Sequence, residues 1–255
     1  MGSVKIKTYV VKNTARFSSE LRLAFLTDVH GHVNRSLFRE ITEQKPDVIL
    51  IGGDMIVRES PETYGKVQRF IMALARRYPV IYGPGNHEGT EYYGENPAYQ
   101  AYEEALKKAG VIFLHNEKIH LELKGRKVCV HGLELPLTYY KRPLVPSLSL
   151  EEMRAMVGEP QPDAYNILLA HNPKYGDVYF EWGADLILSG HIHGGMVRFT
   201  EHAGLISPQI RIFPKYCCGR FDREQRTMLV SAGLGEHSLP IRIHNPRELL
   251  IIETR

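Results

Sequence analysis

The 255-residue sequence contains no apolar run near the roughly 18 residues that span a bilayer, which argues against an internal transmembrane helix. Its opening, Met1-Gly2-Ser3-Val4-Lys5, lacks the apolar stretch of a signal peptide, and Ile6 breaks a myristoylation signal. The sequence as it stands is expected in the cytoplasm. Membrane association is the alternative if Met1-Gly2-Ser3 is a scar where a native N-terminal segment was removed. Cysteine is scarce: Cys129, Cys217 and Cys218 form neither a disulfide framework nor a CxxC pair. There is no GxSxG elbow and no Walker A sequence, which disfavours serine hydrolases and P-loop enzymes. Charge of one sign is lacking too. Lys and Arg number 32 against 29 Asp and Glu, and a net +3 demands neither nucleic acid nor an anionic membrane as partner. No internal repeat or low-complexity tract appears.

Histidine, by contrast, is plentiful: 12 residues, more than the 9 phenylalanines. Imidazole titrates near neutrality and ligates metals, so where these residues fall matters. Apolar, β-branched runs predict strands at Val4–Val11, Leu21–Thr27, Val48–Ile51, Val80–Tyr82, Lys127–Val130, Ile167–Ala170, Leu186–Ser189, Thr227–Val230 and Glu248–Glu253. Leu121–Val130 around Gly125 reads as a hairpin. Val67, Phe70, Ile71 and Leu74 fall at i, i+3, i+4 and i+7, one apolar helical stripe. Tyr102, Ala105, Leu106 and Ala109 repeat it after Asn96-Pro97, and Gly110 stops it. Ser149 to Glu152 is a capping box for a short helix closed by Gly158. Strands alternate with helices in the first half and dominate the second. The expected fold is therefore α/β (α+β), a mixed two-sheet core with helices outside. A single domain over 1–255 is expected, with a Pro-rich insertion or lid at about 133–163.

Five of the strands run into the same kind of ending. They deliver Asp28-Val-His30, Gly52-Gly-Asp54, Gly85-Asn-His-Glu88, His171-Asn172 and Gly190-His-Ile-His193. The carboxyl ends of strands are where α/β sheets place their ligands. Within Asp28-Val-His30 and His191-Ile-His193, a spacing of two puts both side chains on one face if the chain stays extended. Carboxylate, amide oxygen and imidazole without thiolate suit Mn, Fe, Zn or Co better than a structural zinc site. There are more such donors than one ion needs. Gly83-Pro-Gly85-Asn-His-Glu-Gly89 nearly spells a dinucleotide fingerprint. Its third glycine is one position late, however, Pro84 lies in the turn, and no helix is expected to start at once.

This ordered set resembles the calcineurin-like metallophosphoesterases. The tail from Gly233-Leu-Gly235 to Pro240-Ile-Arg242 and the Gly194-Gly195 pair are similar to one bacterial branch. That branch includes membrane-associated phosphodiesterases and UDP-2,3-diacylglucosamine hydrolases. The resemblance implies a four-layer α/β/β/α sandwich of two mixed sheets flanked by helices. It also implies two divalent or trivalent transition-metal ions, Mn, Fe or Zn. Asp28, His30 and His193 would hold the first, Asn86, His171 and His191 the second, and Asp54 would bridge them. A hydroxide between the ions would attack phosphorus in line with the leaving oxygen. His87 would face the substrate, stabilising the transition state and protonating the leaving group. Glu88 stands where Asp is usual, and Ile192 and Met196 where Thr and Gln are frequent.

The function expected is hydrolysis of a phosphodiester or pyrophosphate. A phosphomonoesterase using the same site, or a non-catalytic protein-binding scaffold of the same fold, is the alternative. The partner is a small-molecule phosphoester, nucleotide-linked or lipid-linked substrates included, with no obligatory nucleic acid. Candidate substrate contacts are His131 at a strand end, Tyr140 and Arg142 in the Pro-rich stretch, and His237 in the tail. Arg211, Lys215 and Arg220 invite the same suspicion. His115, His120, His202 and His244 read as surface or packing histidines. Asp47 and Asp185 precede strands and are read as turn formers.

Overall fold

The computed structural model describes residues 4–11, 20–140, 145–195, 198, 214–235 and 242–254. Strands β1 (Lys5–Val11), β2 (Leu21–Leu26), β3 (Val48–Ile51), β4 (Val80–Tyr82) and β5 (Ile112–Phe113) belong to one sheet. The second holds β6 (Lys118–Leu123), β7 (Arg126–Leu133), β8 (Tyr165–Ala170), β9 (Leu186–Ser189), β10 (Gly219–Arg223) and β11 (Arg226–Val230). The last strand, β12 (Glu248–Thr254), returns to the first sheet, whose order is β1-β12-β2-β3-β4-β5. The second runs β10-β11-β9-β8-β7-β6. Both sheets are mixed. β2 to β5 are parallel while β12 runs antiparallel to β2; β7, β8, β9 and β11 are parallel and hairpin partners close each edge.

Alternation along strands buried on both faces builds the layers. Leu23 and Phe25 of β2, with Ile167 and Leu169 of β8, fill the space between the sheets. Their neighbours Ala24 and Leu26 face outward under α1 (Arg35–Glu43), α2 (Pro61–Ala75) and α4 (Pro97–Lys108). Leu168 and Ala170 face α5 (Leu150–Val157) and α6 (Gly176–Trp182) on the other outer side. The result is the two-sheet sandwich flanked by helices that the sequence predicts.

The helix signals behave as their chemistry dictates. Asn96 Oδ1 accepts the Ala98 N–H ahead of Pro97, and Ser149 and Glu152 close a reciprocal capping box. One expectation is overturned. A helix, α3 (Asn86–Tyr93), does start at once after Gly85. Its buried residues are Glu88, Gly89 and Glu91, so no apolar stripe announces it. The Pro-rich stretch is also less irregular than its composition suggests. It carries a 3₁₀ turn over Leu137–Tyr139 as well as α5, and Leu135, Tyr139, Leu148 and Met153 pack in the outer core of the second sheet. No helix among the described residues is long and apolar enough to cross a membrane.

Candidate metal centre

The loops leaving β2, β3, β4, β8 and β9 meet at one end of the sandwich. Sheet pairing carries on past the strands: Asp28 N–H donates to Gly53 O at 3.0 Å, and His30 N–H to Asp54 O at 3.0 Å. Asp28, His30, Asp54, His191 and His193 all adopt the left-handed backbone region, with φ between 45° and 65°. Such a residue costs roughly 1–2 kcal/mol without glycine, so five in one place mark strain held by the surrounding fold. It also corrects the extended-chain argument. Left-handed turns replace alternation, and His191 and His193 join different donor groups.

Three trios place donor atoms within 4.8 Å of one another: Asp28, His30 and His193; His30, Asp54 and His87; Asp54, His171 and His191. His30 Nε2 lies 3.2 Å from His193 Nε2, and the latter 3.3 Å from Asp28 Oδ1. His171 Nε2 stands 3.2 Å from Asp54 Oδ2 and 3.8 Å from Asp28 Oδ1, which joins the first and third trios. Asn86, the first residue of α3, turns a buried Oδ1 that finds no hydrogen-bond donor.

Neighbouring groups fix these side chains. Asp28 accepts the Thr27 hydroxyl at 3.0 Å and the His191 N–H at 3.0 Å to each oxygen. His171 shares Nδ1 with Gly52 O at 2.6 Å, so that nitrogen carries a proton and Nε2 faces the carboxylates. Asp54 Oδ1 accepts the His87 N–H at 2.9 Å, leaving Oδ2 toward His171. Space is as tight as the bonding. A Cβ on Gly85 would meet Asp54 N at 2.6 Å, so only glycine lets the two turns touch.

Charge is correspondingly concentrated. Burial pushes the Asp28 carboxyl up to about 6, with Asp54 adding to it and His171 opposing. Burial works against Asp54 as well, but His171, His87 and His30 hold it well below the usual carboxylate range. Burial disfavours charge on His171 too, yet Asp54 and Asp28 carry it up to about 10. On the protein's own charges alone, then, a protonated His171 offsets the buried carboxylates. Bound cations do the same, and the donor set fits them: hard oxygens and imidazoles, an amide oxygen with no donor, and no thiolate.

The structure brings together Asp28, His30, Asp54, His87, His171, His191 and His193, with Asn86 at the neighbouring helix start. Tyr140 joins them, half-buried, its ring 5.0 Å from that of His191 and 6.4 Å from that of His171. His131 does not join them. β7 runs on through it to Leu133, so it is a mid-strand core residue instead of a strand end. It is fully buried, with Nε2 3.2 Å from Asn166 Oδ1 and its ring edge-on to Trp182, and burial pushes its pKa down to about 4. Lys215 pairs with Asp177, and Arg220 with Asp222. Arg142, His237, Arg211 and Met196 lie outside the described residues.

Two further side chains hold these loops: Asn245, which no sequence signal marks, and Glu88, marked only as the last residue of Gly85-Asn-His-Glu88. Asn245 donates through Nδ2 to the carbonyls of His193 at 2.6 Å and Gly195 at 2.7 Å, locking the last loop. Glu88 accepts through its carboxylate from the backbone of the Asp54 turn. Only its place after His87 in the β4 exit hinted at a role.

Residues 21–195 match the sequence profile of the calcineurin-like phosphoesterases. The chain is 30% identical over 248 residues to a Caenorhabditis elegans protein named as a metallophosphoesterase. That match covers 92% of this chain and 48% of the nematode protein, so the chain spans about half of that relative. It is 28% identical over 191 residues to a phosphodiesterase of Escherichia coli, 71% of this chain and 63% of the other. A UDP-2,3-diacylglucosamine pyrophosphatase of Chlamydia muridarum is 23% identical across 91% of this chain and 83% of its own. Among solved structures, a 5'-nucleotidase precursor from Thermus thermophilus has a similar fold, with a TM-score of 0.51 at 16% identity. The match covers 86% of this chain and 50% of that one.

Proposed function

The chain belongs to the calcineurin-like phosphoesterases, a family of metal-dependent phosphoric ester hydrolases, and from that premise we propose that it cleaves a phosphodiester or pyrophosphate at a two-metal centre. One observation carries this reading: the trios Asp28–His30–His193 and Asp54–His171–His191 stand side by side, tied by the 3.8 Å approach of His171 to Asp28. Asp28, His30 and His193 would hold one ion, Asn86, His171 and His191 the other, and Asp54 both. Two such ions, when bound, supply Lewis acidity toward the phosphoryl oxygens and make water a nucleophile at neutral pH.

The protein's own groups do the rest. Nδ1 of His87 accepts the Arg58 N–H at 3.0 Å, so in the neutral ring the proton sits on Nε2, directed at the site. There it can donate to a phosphoryl oxygen or the leaving oxygen. Tyr140 offers an aromatic face beside His191 to the leaving group, and Arg142 and His237 remain candidates to touch substrate. The C. muridarum and E. coli relatives, named for a pyrophosphate and a diester activity, favour those substrates over monoesters.

The test is to strip the protein of metal, add back Mn, and compare bis(p-nitrophenyl) phosphate with p-nitrophenyl phosphate. Mn-dependent turnover with the diester ahead supports the proposal. Preference for the monoester would overturn the substrate class, and no cleavage with Mn, Fe, Zn or Co would overturn the reading entirely.

A further inference from the structure

Glu88 is fully buried, and every bond its carboxylate makes is to a donor. Oε2 accepts the N–H of Asp54 at 2.7 Å and of Gly85 at 3.0 Å. Oε1 accepts the N–H of Met55 at 2.8 Å, the Tyr82 hydroxyl at 2.7 Å and, more distantly, the N–H of Ile56 at 3.4 Å. Among the described residues no basic side chain forms an ion pair with it, so five donors hold this buried anion. The Gly85 bond is an ordinary helix cap for α3. The others are not. Three cross 32 to 34 residues of chain to the turn that leaves β3, and one reaches back to β4.

The bonding is reciprocal. Glu88 takes the N–H of Asp54, and Asp54 Oδ1 takes the N–H of His87 at 2.9 Å. This ring clamps the β3 exit to the start of α3. One oxygen of Asp54 is engaged by backbone, and the other is left facing His171 at 3.2 Å. Because Asp54 belongs to two of the three donor trios, whatever fixes Asp54 registers both halves of the centre.

We propose that Glu88 is a positioning residue of the metal centre, setting through the Asp54 and Gly85 backbone where the shared carboxylate stands. The inference rests on the two-metal reading above. Side-chain chemistry explains why a carboxylate is needed. All five partners donate, and a glutamine could accept at one oxygen only, pointing its own N–H groups at the others. Aspartate keeps the charge and both acceptor oxygens on a shorter stem.

The experiment titrates wild type, Glu88→Gln and Glu88→Asp with Mn alone by calorimetry, then measures kcat and KM for bis(p-nitrophenyl) phosphate at saturating Mn. Glu88→Gln is expected to bind Mn about 10–100-fold more weakly and to lose kcat by a similar factor, with KM within about threefold. Glu88→Asp should recover at least about half of that loss on a logarithmic scale. A folded Glu88→Gln protein with wild-type Mn affinity and kcat would overturn the proposal. So would a Glu88→Asp protein no better than Glu88→Gln, which would make the residue a packing element. If circular dichroism shows that Glu88→Gln does not fold, Tyr82→Phe decides, since it removes one donor and keeps the charge. A several-fold loss of Mn affinity there supports the role, and unchanged Mn affinity and kcat would overturn it. Should wild type cleave no phosphoester, the functional reading falls while the Mn affinities still decide the role of Glu88.

Discussion

Arg58 donates its main-chain N–H to Nδ1 of His87 across 3.0 Å, and Nε2 of the same ring lies 3.9 Å from Asp54 Oδ2. The first contact makes Nδ1 an acceptor and assigns the ring proton to Nε2. A metal-binding nitrogen needs a free lone pair, so this arrangement suits a proton donor better than a ligand. Yet His87 also shares a donor trio with His30 and Asp54. The two roles separate cleanly. His87→Ala is expected to keep wild-type Mn content while turnover falls about 10²–10⁴-fold. Metal analysis of the purified variant is the check, and Mn loss matching the loss of turnover would make His87 a ligand.

Asp54 should behave in the opposite way. Its carboxylate stands in two of the three trios, and His171, His87 and His30 keep it ionised against its burial. Asp54→Asn removes that charge with little change of shape. Mn affinity at both sites should fall at least about tenfold, more than in any variant of a residue confined to one trio. Calorimetric titration showing two undisturbed Mn sites in Asp54→Asn would rule out a shared carboxylate.

Glycine substitutions distinguish space from backbone strain. At Gly85 φ is −98°, which any residue adopts, but a Cβ would sit 2.6 Å from Asp54 N. Gly110 after α4 has φ +89° with open space around it. Gly85→Ala should therefore cost about 1–3 kcal/mol by overpacking and disturb Mn binding. Gly110→Ala should cost about 1 kcal/mol by strain alone and leave Mn binding intact. Urea unfolding with parallel Mn titrations reads both quantities, and a Gly85→Ala protein that binds Mn normally would show that the two turns can part.

Much of this was legible because buried strands in α/β sheets are continuous apolar runs that stop abruptly. Val48–Ile51, Val80–Tyr82 and Leu186–Ser189 have the predicted limits, and the polar residues just beyond five strands converge. What stayed hidden lacks an apolar signature. α3 buries Glu88, Gly89 and Glu91, and β5 is two residues long. His131 was misplaced because β7 continues three residues past Val130, which turns an apparent strand end into core. Glu88 and Asn245 act on backbone across long stretches of sequence, and no spacing rule reports such contacts.

His115 illustrates the same blindness and carries a pH prediction. It reads as a packing histidine, but its two ring nitrogens face carboxylates from different elements. Nδ1 lies 2.6 Å from Glu134 Oε2, just after β7, and Nε2 lies 3.1 Å from Glu103 Oε1 on α4. Lys107 approaches Glu103 at 2.6 Å, and the Tyr92 ring stacks on His115 at 4.3 Å. Burial disfavours the imidazolium, but the two carboxylates outweigh it and carry the pKa from 6.5 up to about 9. A group raised on folding stabilises fully below its unfolded pKa, and the contribution is lost as pH rises through the folded value. Comparison of wild type with His115→Gln by urea unfolding should thus give its largest difference near pH 6, at most about 3 kcal/mol and less for partial solvent screening. The difference should shrink from about pH 6.5 onward and level off above about 9. A difference that stays constant from pH 6 to 10 would mean that His115 acts by packing and not by charge.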